Sequence, residues 1–107
     1  MPNIEELIEV LEAEINNGGF DQFFFNSAGD YTEETIQALV KIGANHTADI
    51  VRRAASKFPN DMPPKDRGAR QELLEDISPD SDAFEEFDEE FLAYEDDLTS
   101  LVSSHEG

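Results

Sequence analysis

Apolar residues recur along this chain at the three- and four-residue spacing that is typical of amphipathic helices. Asn3 and Glu6 form a capping-box-like start to the first helix. No segment shows the alternating pattern of a β-strand. Glycine and proline divide the pattern into six predicted helices, which cover residues 3–17, 20–27, 32–42, 45–58, 66–77 and 81–103.

The length of 107 residues fits one domain, and a chain of this size buries roughly two-thirds of its unfolded surface. We therefore predict an all-α fold, a compact single-domain bundle of five to six helices with a long acidic C-terminal helix. Within residues 1–107 we expect a helical core (1–58), a proline-containing loop (59–65), acidic C-terminal helices (66–103) and a disordered end (104–107).

The last predicted helix carries a continuous apolar seam. Its members follow one another at intervals of three and four residues, as in coiled coils, and they are Phe84, Phe87, Phe91, Tyr94, Leu98 and Leu101. Such a regular register argues against a disordered acidic tail. We expect the seam to pack onto the chain's own core. The alternative is a partner helix, as in a homodimer formed through this seam.

Charge is distributed unevenly along the chain. Twenty-six acidic residues and seven basic ones give a net charge of −19, and residues 71–107 contain no Lys or Arg. Such a surface repels phosphate backbones and anionic lipids, so we expect no direct nucleic-acid or membrane partner. A basic protein surface is the natural partner. Salt adaptation is the competing explanation, although it would spread acids over the whole surface.

Eight acidic residues between the seam positions form the predicted partner-binding face. On one helix they would span ~18 Å, because each residue rises 1.5 Å. The number of charges per unit length of this helix would approach that of duplex DNA, which carries one charge per ~1.7 Å of its axis. The candidate site residues are Glu85, Glu86, Asp88, Glu89, Glu90, Glu95, Asp96 and Asp97.

Residues for catalysis or metal binding are few. The chain has no cysteine and two histidines. Counted from Asp80, the acidic run lacks the oxygen ligand, glycine and glutamate that a calcium loop needs at its fifth, sixth and twelfth positions. His46 and Asp49 are a weak ligand pair, and a solvent-facing or capping histidine is the simpler interpretation. We expect no enzyme activity, no metal site and no cofactor.

The N-terminus and the hydropathy of the chain bear on its location. The first ten residues carry acids where a signal peptide needs bases. No apolar run approaches the ~20 residues of a membrane span. We therefore expect a cytoplasmic protein.

The segment from Asn17 to Asp30 combines two glycine stops with a cluster of phenylalanines. We interpret it as a core-forming corner, with Asn17 and Asn26 expected to satisfy backbone groups at the helix ends. A ligand pocket lined by Gln22 and Phe25 is the alternative. The residues that define this motif are Asn17, Gly18, Gly19, Phe20, Gln22, Phe23, Phe24, Asn26, Gly29 and, further along, Gly43.

These motif positions, together with Ala38, Leu39, Ile42 and Ala44, carry a resemblance to a known family. Over about residues 1–60 the chain resembles the DNA mimic protein 19 family, a bacterial family of unknown function. The resemblance implies an all-helical fold and an acidic surface that imitates duplex DNA. It also implies a partner whose DNA-binding face is occupied, such as a transcription regulator.

The leading hypothesis is therefore an acidic DNA mimic that blocks a basic DNA-binding protein. The target classes are a transcription regulator, a restriction or CRISPR effector, and a nucleoid protein. The alternative is an immunity or antitoxin protein that caps a basic toxin, and a third class is a small-ligand-binding domain. The partner's identity, the biological process and the oligomeric state stay open.

Overall fold

The computed structural model describes the backbone of residues 2–106 and the side chains of residues 2–105. Over these residues it has six α-helices and no strand, which confirms the predicted all-α single-domain fold. Short 3-10 turns occur at Ser27–Tyr31 and Pro59–Asp61. The helices are α1 (Ile4–Phe25), α2 (Thr32–Lys41), α3 (Asn45–Ala55), α4 (Arg67–Ile77), α5 (Glu85–Leu92) and α6 (Leu98–Glu106).

Helix α1 is sharply kinked at Gly19, where the sequence predicted that the first helix would stop. Gly19 has φ 74° and ψ −169°, a backbone conformation that glycine adopts without steric cost. The Phe20 N–H beyond the kink donates to the Asp88 carboxylate of α5, at 2.8 Å. A Cβ atom at Gly19 would collide with that carboxylate. Gly19 therefore lets α5 approach the backbone of α1.

The core is built around phenylalanines from both halves of the chain. Phe24 lies 5.0 Å from Phe58 and 5.2 Å from Phe84 between ring centroids. Phe20 contacts Phe91 edge-to-face at 6.2 Å. All five side chains are at most 2% exposed, and burying each contributes roughly 1.5–3 kcal/mol. This packing fixes α5 to α1, so the acidic helix is part of the folded core.

Our prediction of one long C-terminal helix is wrong, because α5 ends at Leu92 and α6 begins only at Leu98. Tyr94 turns the chain with φ 49°. Asp96 accepts hydrogen bonds from the Thr47 backbone N–H (2.8 Å) and hydroxyl (3.0 Å) at the start of α3. Asp97 caps α6 by accepting from Ser100. The two carboxylates therefore bind helix N-termini instead of continuing one helix.

The apolar seam packs inward despite this break. Phe84, Phe91 and Leu98 are at most 2% exposed, and Phe87 and Leu101 pack partly buried against the same core. Tyr94 is the most exposed of the six, at 39%. The expected packing onto the chain's own core is confirmed, and the described seam offers no continuous apolar face to a second copy.

The end of the chain also departs from expectation. Helix α6 continues to Glu106, so Ser104 and His105 are helical where we predicted disorder. The last residue of that predicted disordered end, Gly107, lies outside the described residues. The predicted proline-containing loop lies between α3 and α4 and includes the 3-10 turn at Pro59–Asp61.

Candidate functional site

The eight predicted site residues divide into two groups. Four are exposed, and the described structure shows no hydrogen bond or ion pair to their side chains: Glu85, Glu86, Glu89 and Glu95. The other four are engaged within the fold: Asp88, Glu90, Asp96 and Asp97. The sequence predicted one row of equivalent acids. In the described structure, four of them have no partner and the other four accept hydrogen bonds from other parts of the fold.

One flank of α5 is neutralised by α3. The Arg53 guanidinium donates to both Glu90 oxygens (2.8 and 3.0 Å) and to Asp49 (2.9 Å). Those hydrogen bonds hold the pKa of Glu90 below its usual range. Arg53 and Lys57 also lie 5.5 and 5.7 Å from the centroid of the Phe87 ring, within cation–π range. This flank therefore carries little net charge.

The opposite flank of α5 crowds acids without a base. Burial raises the pKa of Asp88; the Phe20 N–H partly offsets this, and the charges of Asp21 and Glu85 raise it further. Burial also raises the pKa of Asp21, with a contribution from Asp82. Carboxylates from α1, from α5 and from the loop before α5 therefore meet beside the α1 kink.

The carboxylates gathered beside the kink are those of Asp21, Asp82, Glu85 and Asp88. We call these four, together with the exposed Glu86 and Glu89 on the outward side of α5, the acidic face. Asp21 and Asp82 were missed as site residues from the sequence. Neither belongs to the apolar seam of α5, and only the kink at Gly19 brings Asp21 toward Asp88. No local pattern could have joined Asp21 to Asp88, because the two residues lie far apart in the chain, whereas Asp82 directly precedes the predicted acidic row.

Basic residues pair mainly with acids from the first 50 residues. Lys65 contacts Glu34 at 2.6 Å, and Arg67 and Arg70 both contact Asp30. Their hydrogen bonds lower the pKa of Glu34 and of Asp30. Of the 13 acidic side chains described between residues 71 and 105, only Glu90 makes an ion pair. Among the described residues, carboxylates without an ion pair therefore lie on α4, on α5 and on the loops after them, and also on the first segment of α1.

Arg70 is a buried charged residue that we did not identify from the sequence. Its side chain is fully buried and donates to the carbonyl oxygens of Phe24 (2.6 Å) and Asn26 (3.0 Å) and to the Asp30 carboxylate (2.7 Å). Its position in the sequence did hint at burial, because Arg70 lies three and four residues before apolar residues of α4, on the same side of the helix. Its role is structural: it fixes α4 to the corner after α1.

The corner itself is built differently from our expectation. The Asn17 side chain donates to the Gln22 side chain (3.1 Å), and the Asn26 side chain donates to Glu14 (2.9 Å). The backbone carbonyl of Asn26 is instead satisfied by Arg70. Our prediction that the two asparagine side chains satisfy backbone groups is therefore wrong, while the burial of the phenylalanine cluster is confirmed.

A groove of about 790 Å³ lies between the second segment of α1 and α4. Gln22 and Phe25 line it, as the pocket hypothesis from the sequence proposed, and Phe25 is 54% exposed. Asp21 belongs both to the groove and to the acidic face. The two surfaces are therefore continuous.

Two further observations concern the described residues only. No three His, Asp or Glu side chains among residues 2–105 are grouped so that they could hold a metal ion. In the same part of the chain, every helix is too short or too polar to cross a membrane.

Comparison with known families gives a match over nearly the whole chain. The family described as DMP19-like protein matches residues 7–105. The match confirms the resemblance that the sequence showed over residues 1–60 and extends it through α4, α5 and most of α6. No curated protein and no solved structure matches the chain.

Proposed function

We propose that this chain, which belongs to the DMP19-like protein family, is an acidic DNA mimic that binds and blocks the basic DNA-binding surface of a partner protein. The observation that carries the proposal is the acidic face, where carboxylates from three elements gather without a base. In this proposal the protein acts in the cytoplasm by binding alone and catalyses no reaction. A transcription regulator, a restriction or CRISPR effector and a nucleoid protein are the partner classes.

The rigidity of the acidic face supports this function. Phe84 and Phe91 hold α5 in the core, while Glu85, Glu86 and Glu89 point outward from the same helix. Carboxylates three and four residues apart on a helix lie ~5–6 Å from one another. A partner that reads phosphates with Lys and Arg would therefore meet negative charges whose positions are already fixed, which lowers the entropic cost of binding.

The electrostatics also predict how binding depends on conditions. An unneutralised acidic face attracts a basic surface over distances near the Debye length, so association is fast and weakens as salt is added. Duplex DNA presents the same sign of charge to the same basic surface. The protein and DNA should consequently exclude each other from the partner.

A charge-reversal experiment tests the location of the site. The variant Glu85→Lys/Glu86→Lys/Glu89→Lys reverses three free carboxylates of the acidic face. Its matched control, Glu5→Lys/Glu6→Lys/Glu9→Lys, makes the same change in net charge at the exposed start of α1. Wild-type protein first captures the partner from the native host, and the Kd of the purified pair is then measured for each variant.

We expect the acidic-face variant to raise Kd by about tenfold or more, because each exposed charge contact contributes ~0.2–1 kcal/mol and reversal adds repulsion. The control should change Kd by much less. Equal losses in both variants would mean that only total charge matters and would contradict a defined site. A captured partner with no affinity for duplex DNA would contradict mimicry and would favour the immunity or antitoxin alternative.

A further inference from the structure

The groove between α1 and α4 combines features that the acidic face lacks. Its α1 wall contains Asp21, Gln22 and Phe25, and its α4 wall contains Gln71, Glu72 and Glu75. We propose that this groove is a receptor for an arginine side chain of the basic partner. The proposal rests on the proposed function, since it names the residue type that the partner inserts beside the acidic face.

The charge of the groove favours a cation. Asp21, Glu72 and Glu75 line it, and no Lys, Arg or His does. Glu72 and Glu75 are exposed, and the described structure shows no ion pair to either side chain. They lie three residues apart on α4, so their side chains are neighbours at ~5–6 Å. A guanidinium has donors on two edges and can bridge two such carboxylates.

An exposed aromatic ring favours arginine over lysine. Phe25 is 54% exposed at the groove, although the other phenylalanines of its segment are fully buried. The Gln71 side chain donates to the backbone carbonyl of Phe25 at 2.8 Å, which ties this end of α1 to α4. A planar guanidinium stacks on an aromatic face while its edges bond carboxylates, whereas an ammonium is a compact, strongly hydrated charge.

The size and position of the groove suit a side chain presented by a docked protein. Its volume of about 790 Å³ lies within the roughly 300–1,000 Å³ of small-molecule sites. Because Asp21 belongs to both surfaces, a basic partner seated on the acidic face also covers one end of the groove. One arginine of that partner could enter without any movement of α1 or α4.

Gly68 supplies a variant that narrows the groove near the start of α4. It lines the groove near the start of α4, and the nearest atom to an added Cβ would be an Asp66 carboxylate oxygen at 3.6 Å, an ordinary contact. Gly68→Leu places a side chain in the groove. Gly68→Ala is its matched control, because both replacements raise helix propensity while alanine adds only a methyl group.

The test is an NMR titration of the full chain with N-acetyl-arginine amide, with the uncharged isostere N-acetyl-citrulline amide as the control ligand. The side-chain amide signals of Gln22 and Gln71 report directly on the groove. We expect saturable shifts of these signals with the arginine compound and none with citrulline. Gly68→Leu should weaken binding of the arginine compound, and Gly68→Ala should leave it unchanged.

Neutralising the carboxylates tests the chemistry. Glu72→Gln/Glu75→Gln should raise the Kd for N-acetyl-arginine amide by roughly 3- to 10-fold, because two exposed charge contacts are lost. The control, Glu5→Gln/Glu9→Gln, removes the same charge at the start of α1 and should raise Kd less than twofold. Equal shifts with arginine and citrulline, or arginine-induced shifts that map only to the acidic face, would overturn the proposal.

The two proposals fail separately. If Gly68→Leu leaves partner affinity intact while the acidic-face reversal abolishes it, the groove proposal is wrong and DNA mimicry stands. If arginine binds the groove but duplex DNA does not compete for the partner, mimicry is wrong and the groove recognises arginine in another context.

Discussion

The corner after α1 and the acidic face use charged residues in opposite ways. At the corner, the buried Arg70 guanidinium is surrounded by backbone carbonyls and the Asp30 carboxylate. On the acidic face, the exposed carboxylates of Glu85, Glu86 and Glu89 have no described partner. At the corner, the paired charges stabilise the fold. On the acidic face, the unpaired charges repel one another but stay available to a partner.

Helix α5 contains both situations within eight residues. Glu90 lies on the flank that Arg53 neutralises, and Glu89 is its unpaired neighbour. The difference between Glu89 and Glu90 shows that acidic composition alone does not identify an interface. An acid can serve the candidate site only where the fold leaves its charge without a cation, as it leaves Glu89. Substitutions that separate these roles therefore test the account.

The largest effect should come from the corner. Arg70→Ala removes the donor to four backbone carbonyl oxygens and leaves Asp30 with Arg67 alone. Each buried polar group left without a hydrogen bond costs about 1–3 kcal/mol. We expect a matching decrease in the free energy of unfolding, measured by urea denaturation. Arg52→Ala, at an exposed arginine, is the control and should change it little. A wild-type unfolding curve for Arg70→Ala would contradict the structural role.

A smaller effect should come from Asp88, the member of the acidic face that binds the backbone at the α1 kink. Asp88→Ala removes the acceptor of the Phe20 N–H and should cost about 0.5–2 kcal/mol, as loss of a helix N-cap does. Asp88→Asn keeps an acceptor oxygen and removes a crowded charge, so at neutral pH it should be at least as stable as wild type. Thermal unfolding distinguishes the two, and equal destabilisation would show that the charge itself is required.

The pH dependence of stability follows from the same residue. The folded pKa of Asp88 and of Asp21 is raised, so the folded state binds protons more readily and gains stability as pH falls from 7 through those pKa values. Asp30, Glu34 and Glu90 have lowered pKa values, so their contribution is lost at lower pH. The melting temperature should therefore pass through a maximum between pH 7 and about 4. The gain should be smaller in Asp88→Asn.

The smallest predicted change is a difference in melting temperature between variants of Glu89 and Glu90, which are neighbours on α5. Glu90→Gln breaks the bidentate contact with Arg53 and should lower the melting temperature slightly. Glu89→Gln removes a repelling charge and should leave the melting temperature unchanged or raise it, most clearly at low salt. Both variants lose one negative charge, so they control for each other. A larger loss of stability in Glu89→Gln would invert our assignment of the two flanks.

The helical pattern could be predicted from the sequence because it is local. Apolar spacing, the Asn3 cap and the Gly18-Gly19 stop gave the helices and the buried phenylalanines. The break between α5 and α6 could not be predicted, because no glycine or proline marks residues 93–97. It depends on Asp96 binding the start of α3, a contact between residues far apart in sequence.

The candidate site was only partly predictable for the same reason. The apolar seam predicted which face of α5 turns inward, and therefore that Glu85, Glu86 and Glu89 turn outward. Which acids are neutralised depends on where Arg53 and the α1 kink lie in space. Asp88 gave a local hint, because it lies between seam residues at helical spacing and so faces the core.

The most direct test of the central claim is competition for the captured partner. The partner is bound to a fluorescent duplex of a sequence it recognises, and this protein is titrated at fixed salt while DNA release is followed by anisotropy. We predict complete release with a midpoint that rises in proportion to the DNA concentration, and a midpoint at least about tenfold higher for the Glu85→Lys/Glu86→Lys/Glu89→Lys variant. A ternary complex with unreduced affinity for both ligands would contradict DNA mimicry.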